Sequence, residues 1–187
     1  MHHKPLHPSA QKVADAAAAL GLAIDIVTFE QPTRTAEDAA AAVGCEVGQI
    51  VKSLVFTVSG APVMALVSGK NQLDTRKLAA LFNVGRKQVE RADADTVRAA
   101  TGYAIGGVPP FGHAMRLPVT VDEDLTTYDV IWAAAGTPNT VFAVAPADLV
   151  RASGGRTVDL KTEEARAENK EAHAKAQRGE GAEEEKR

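Results

Sequence analysis

No regular helix or strand can run through Thr101–His113, TGYAIGGVPPFGH. Gly102, Gly106, Gly107 and Gly112 surround the pair Pro109-Pro110. Glycine adopts backbone angles that other residues avoid and lets other groups approach the main chain. Proline fixes its own φ and carries no N–H. The segment must therefore be a stiff, shaped loop with exposed backbone amides. Two roles fit it. It can hold an oxygen that becomes more negative during a reaction, or it can be a tight turn between two strands.

The flanking sequence supplies short, mixed elements. Ser9 can cap a helix to about Leu20, with Gly21 closing it. Ile24–Phe29 alternates like a strand. Thr35, with Asp38 three residues on, starts an alanine-rich helix that stops at Gly44. Val51–Val58 and Val63–Val67 read as a hairpin across Ser59-Gly60-Ala61-Pro62. Helices are expected over Asp74–Phe82 and Asp93–Ala100, and again from Pro146 to near Gly154. Val119–Val121, Val130–Ala134 and Val141–Ala145 are short strands. The βαβ repetition of a doubly wound sheet is missing, as are GxGxxG, P-loop and GxSxG motifs.

At 187 residues and 45% hydrophobic, the chain fits one domain with an ample core. It has no apolar run approaching the roughly 20 residues that cross a bilayer, and its N-terminus lacks the apolar core of a secretory signal. Cys45, the single cysteine, excludes an internal disulfide and a multi-cysteine zinc site; it reads as a small packing residue. His2 and His3 alone do not make a metal site. A reducing, cytoplasmic location without membrane or cofactor is the simplest expectation. The net charge of −3 excludes a generally basic nucleic-acid binder. Lys70–Arg91 nevertheless carries a local excess of positive charge, including Lys70, Arg76 and Lys77. It can meet phosphates in a limited footprint or be an ordinary solvated helix face. Lys161–Arg187 holds seven basic and eight acidic residues and little that is bulky and apolar. It reads as a frayed helix or disordered tail.

Three segments together carry a resemblance. Ile50–Phe56 (IVKSLVF) sets one lysine in an apolar strand, Ala134–Phe142 (AAGTPNTVF) sets a polar turn between apolar segments, and the glycine loop lies between them. With Gln31–Ala40 and Leu66–Asn71, in this order and spacing, they resemble the YbaK/ProX family, free-standing relatives of the editing domain of bacterial prolyl-tRNA synthetases. The resemblance runs from about His7 to about Gly155. It implies a single α/β domain, taken as residues 1–160 ahead of the charged tail, with a mixed, strongly curved, barrel-like sheet flanked by helices. It implies hydrolysis of a mischarged aminoacyl-tRNA, with tRNA(Pro) carrying a small amino acid such as Cys or Ala as the expected substrate. The acceptor end of aminoacyl-tRNA is then the partner, with prolyl-tRNA synthetase or another translation factor as a further candidate. A non-catalytic tRNA- or nucleotide-binding relative, or a regulatory one, is the alternative.

Lysine is seldom fully buried, so Lys52 either sends its ammonium into a cleft or guards a strand edge. The resemblance gives Lys52 the placing of the 3′-terminal adenosine, without metal and without a dedicated protein nucleophile. Amides near Ile105, Gly106 and Gly107 are the candidate oxyanion donors, with Lys52, Gly106 and Gly107 the catalytic set. Pro109 and Pro110 would shape the amino-acid pocket, and Gly136, Thr137 and Asn139 would form a second loop facing it. Thr35, Tyr103, Phe111, Gly112 and His113 complete the expected substrate-binding set. His113 can equally be a loop histidine held by the backbone, and Asn139 an ordinary turn residue. Phosphate contacts fall to Lys70, Arg76 and Lys77.

Overall fold

The structure, a computed structural model, describes residues 5–168, 170 and 171. Its centre is the hairpin of β2 (Val51–Val58) and β3 (Ala61–Ser68). Ser59 and Gly60 both have positive φ, 50° and 83°, as a two-residue type I′ turn demands. The turn is thus two residues shorter than the sequence suggested. Ala61 and Pro62 already pair with Val58 and Thr57.

β4 (Val89–Arg91) lies antiparallel to β2. β5 (Val119–Asp122) lies parallel to β3, and β8 (Arg156–Val158) parallel to β5. A mixed sheet of order β4-β2-β3-β5-β8 results. β1 (Ile26–Thr28), β7 (Thr140–Val144) and β6 (Ile131–Ala134) form a separate antiparallel sheet of order β1-β7-β6. A lone bridge, Ile50 to Trp132, joins the two. The single barrel-like sheet expected from the resemblance is therefore two sheets among the described residues. Past that bridge β2 and β6 stop pairing, and a cleft lies between them.

β3 is buried on both faces. Met64 and Leu66 pack with Val13, Val97 and Leu149 from three helices; Val63, Ala65 and Val67 pack with Leu78 and Leu160. Burial on both sides explains why this strand reads as a continuous apolar run. β4 and β8 went unread because each is a three-residue edge strand with charged residues and no apolar period.

The helices begin and end for local reasons. α1 (Pro8–Ala19) starts just ahead of Ser9, because the His7 ring accepts the Ser9 N–H at 3.2 Å and Pro8 takes the first position. α2 (Ala36–Val43) carries the expected capping box: Thr35 Oγ1 accepts from Asp38 N, and Asp38 Oδ2 from Thr35 N, both at 3.1 Å. Asp74 caps α3 (Thr75–Leu81), and Asp93 caps α4 (Ala94–Thr101). α5 (Pro146–Ser153) opens on its proline. No described helix is long and apolar enough to cross a membrane.

The packed body continues past the expected boundary at residue 160. Asp74 N donates to Leu160 O at 2.7 Å and Thr162 N to Gln72 O at 2.9 Å, while Leu160 is fully buried. Charge-rich composition hid this, because one leucine and one neutralised lysine suffice to anchor the segment. Residues 163–168 are helical. The expectations for His2, His3 and residues 172–187 lie outside the described residues.

Leu160→Ala tests the extended body. Removing a fully buried leucine should cost about 2–5 kcal/mol in urea unfolding. A loss within about 0.5 kcal/mol, the scale of surface substitutions, would place Leu160 outside the cooperative unit.

Candidate active site

The cleft has a volume of about 320 Å³. One wall is Ile50–Leu54, running into β2, and another is Trp132–Ala134 of β6. Thr33–Ala36 and Ala39 enter from the start of α2, Ile105, Gly106 and Val108 from the glycine loop, and Pro138, Thr140 and Val141 from the turn into β7. Arg34 and Arg91 complete the border. The three segments read from the sequence therefore meet at one place, around a mostly apolar hollow.

Lys52 stands on this wall. Its Nζ donates to the carbonyl of Gly69 at 3.1 Å and, in a shorter bond, to that of Asn71. Burial lowers its pKa, Asp122 and Glu37 oppose that fall, and Arg91 adds to it. The carbonyls belong to the turn after β3, and that turn has its own buried support. Asn71 Nδ2 donates to Asp122 Oδ2 at 2.8 Å and to Asp124 Oδ2 at 2.9 Å, and Ser68 N donates to Asp122 Oδ2 at 3.1 Å. Burial raises the pKa of Asp122, only partly countered by these bonds.

The glycine loop makes a β-turn at the cleft. Gly107 N donates to Ala104 O at 3.0 Å, and Gly106 takes φ +90° at the turn position that requires it. This corrects one expectation: the Gly107 amide is already used to close the turn. Among the described residues, no protein acceptor meets the N–H of Ile105 or Gly106. Gly107 instead serves close packing. Its carbonyl accepts from Gly136 N at 2.9 Å, and a Cβ there would meet Thr137 Cα and N at 2.7 Å.

Several expected substrate contacts turn out to support the loop from behind. Tyr103 and Phe111 are core residues; Phe111 packs on Phe142 with ring centroids 5.6 Å apart, and Tyr103 Oη donates to Gly112 O at 3.4 Å. Pro109 and Pro110 are buried and do not line the cleft. His113 Nε2 lies 2.7 Å from Pro109 O, and burial lowers the ring's pKa despite that bond. Thr137 Oγ1 donates to Asn139 Oδ1 at 2.8 Å, and Asn139 Nδ2 to Phe29 O at 3.0 Å. Asn139, held by Thr137, thus latches the second loop to Phe29 beside β1, Gly136 ties it to Gly107, and Pro138 faces the cleft in their place. Burial of side chains with apolar bodies is invisible in a local motif.

Lys70, Arg76 and Lys77 lie away from the cleft lining. Lys70 Nζ sits 5.6 Å from the Tyr128 ring centre, and Arg76 is paired with Asp74 at 2.8 Å. Lys77 is a structural tie, 2.8 Å from Asp159 and 2.7 Å from Lys161 O. The sequence reading missed Arg34, Arg91 and Trp132 on the lining, and Asn71 and Asp122 behind Lys52. Arg34, Asn71 and Arg91 lay inside quoted segments, without a signal that singled them out. Ser53 also lines the cleft. Its Oγ is buried with no protein partner among the described residues, so no base is positioned to activate it. Ser68 Oγ is bound to Gly48 O at 2.6 Å.

This geometry joins a fixed cation, turn amides without a protein acceptor among the described residues, and a small apolar hollow, a set suited to holding a compact group whose oxygen gains charge. Residues 30–152 match the family model described as aminoacyl-tRNA editing domain. The chain belongs to that family. A protein of Enterococcus faecalis named "Putative Cys-tRNA(Pro)/Cys-tRNA(Cys) deacylase EbsC" is 33% identical over 132 residues, which cover 70% of this chain and 79% of the relative. A proline–tRNA ligase of Maridesulfovibrio salexigens is 37% identical over 97 residues, 52% of this chain and 16% of the ligase. A crystal structure described as "a putative trans-editing enzyme for prolyl tRNA synthetase" matches with TM-score 0.80 and 45% identity, covering 84% of this chain and 99% of that one.

Gly107→Val should lower the thermal midpoint and disturb the cleft together, because its Cβ meets backbone that cannot rotate away. The expected loss is about 1–3 kcal/mol. An unchanged midpoint would show that the two loops are not in fixed contact.

Proposed function

We propose that this chain is a trans-editing hydrolase that cleaves the ester of a mischarged aminoacyl-tRNA in the cytoplasm. The substrate read here is tRNA(Pro) carrying a small amino acid such as Cys or Ala, with the acceptor end as the contact. The observation that carries this is that Lys52 and the Ile105–Gly106 amide pair, which meets no protein acceptor among the described residues, line one small apolar cleft.

In this reading the ester carbonyl faces the two amides, which stabilise the negative charge built by nucleophilic attack. The ester bond breaks to leave the free amino acid and a tRNA with its terminal ribose hydroxyl restored. Lys52, with Arg34 and Arg91 at the border, orients the terminal nucleotide by charge. Water supplies the attacking oxygen, or the substrate's own hydroxyl or side chain assists. The unactivated Ser53 supports this reading, since a protein nucleophile needs a base within reach. A synthetase pocket separates amino acids one methylene apart by only about 1–3 kcal/mol. A second, small cleft that removes the wrong product answers that limit. The editing unit is taken as residues 1–160, with the anchored segment after it as an extension, and prolyl-tRNA synthetase is a candidate partner.

Deacylation of a panel of charged tRNAs tests this directly. Wild-type protein should release small amino acids from tRNA(Pro), and Lys52→Ala should cut that rate by about a hundredfold or more, with its thermal midpoint nearly unchanged. Binding of the tRNAs without release of any amino acid would favour the non-catalytic alternative. Activity should also survive exhaustive chelation. Among the described residues no three His, Cys, Asp or Glu are grouped to hold a metal ion. Loss with EDTA and rescue by zinc would overturn the metal-free mechanism.

The pH profile gives a further check. The charged form of Lys52 is the active one, and burial sets its pKa below the ordinary lysine value. After subtraction of uncatalysed hydrolysis, activity should fall as pH rises through that lowered pKa. Residual activity of Lys52→Arg should lack this limb, because a guanidinium stays charged. A wild-type rate flat up to the ordinary lysine range would contradict the assignment.

A further inference from the structure

The segment after β8 reaches the seat of Lys52. Residues 160–162 run beside 72–74, through the Asp74–Leu160 and Thr162–Gln72 backbone bonds and an antiparallel bridge between Leu73 and Lys161. Residues 72–74 directly follow the turn whose Gly69 and Asn71 carbonyls hold the Lys52 ammonium. Residues 160–162 lie outside residues 30–152, the part matched by the family model, while 72–74 lie within it.

The same junction gathers buried charge. Asp122 and Asn71 are fully buried, and Lys161 is 8% exposed. The Asn71 side-chain amide donates to two carboxylates, Asp122 and Asp124, which repel each other. Lys161 Nζ lies 2.5 Å from Asp124 Oδ1 and 3.4 Å from Glu123 Oε1. Burial alone would raise the pKa of Asp124, yet the bonds from Lys161 and Asn71 hold it low. Removing a cation from such a cluster leaves its carboxylates less compensated, with Lys70 still acting on Asp124.

We propose that Lys161 is a positioning residue for Lys52. By neutralising Asp124 it keeps both carboxylates on the Asn71 amide, and this fixes the turn carbonyls under the Lys52 ammonium. The path runs Lys161, Asp124, Asn71, Lys52, each step a direct hydrogen bond. The proposal rests on the reading that Lys52 acts in the cleft, so its test includes a readout that needs no substrate.

The experiment compares wild type, Lys161→Met and Lys161→Met with Asp124→Asn, in the full chain. Nitrogen resonances of the lysine side chains are recorded, with exposed Lys12 as the internal control, and kcat and KM are measured on the best charged tRNA. Lys161→Met should shift or broaden the Lys52 resonance and leave that of Lys12 in place. It should lower kcat by about tenfold or more, with less effect on KM. Adding Asp124→Asn removes the carboxylate charge that Lys161 had countered and leaves an oxygen for Asn71, so both readouts should move back toward wild type. Should Lys161→Met fail to fold, Lys161→Gln is read in the same way. A Lys52 resonance and kcat that stay at wild-type values while the thermal midpoint falls would overturn the proposal and leave Lys161 a purely structural anchor. An inactive wild-type protein would count against the editing reading, and the resonances would still decide whether Lys161 positions Lys52.

Discussion

The arrangement of the molecule turns on one ammonium group held by two backbone carbonyls. Lys52 is half-buried in a mostly apolar strand, and a lysine there needs partners for its donors. The turn at Gly69 and Asn71 supplies them. That turn ends β3, the strand buried on both faces, so the most deeply packed part of the fold fixes the cation. Asp122 lies at the end of the parallel neighbour β5 and grips Asn71 from below. The cleft exists because β2 and β6 part company after the Ile50–Trp132 bridge. One polar requirement thus links the hairpin, the parallel strand and the open seam between two sheets.

A second requirement is rigidity in the glycine loop. Its turn amides can face the cleft only if the rest of the loop is held from behind. Buried Phe111, the Tyr103 hydroxyl and the His113 ring do this, and the Gly136–Asn139 turn locks against Gly107. Preorganised donors are effective because they need no rearrangement when charge develops. The residues most conspicuous in the sequence therefore divide into a small part that faces the cleft and a larger part that supports it.

Much of the fold was legible from local chemistry. The Thr35–Asp38 capping box, the glycines that end helices and the apolar hairpin each carry their own signal, and each is present, the hairpin with a turn two residues shorter than expected. Lys52 was legible because a charge in an apolar run is anomalous. The rest depended on contacts distant in sequence. Nothing near Gly107 says that its amide will close a turn, and nothing near Lys77 or Lys161 says that carboxylates will neutralise them. Arg34 and Arg91 became part of one border only when α2 and β4 met the same cleft. The split into two sheets was likewise invisible, because strand periodicity does not report which neighbours a strand acquires.

The central claim is that the Ile105 and Gly106 amides receive the reacting carbonyl next to Lys52. A crystal structure with a non-hydrolysable 3′-aminoacylamide of adenosine tests it most directly. The account predicts the acyl oxygen within hydrogen-bond distance of those two N–H groups, with the small side chain in the apolar hollow and the adenosine on the Lys52 side. An analogue bound with its acyl oxygen away from the Ile105–Gly106 turn, or seated outside this cleft altogether, would contradict it.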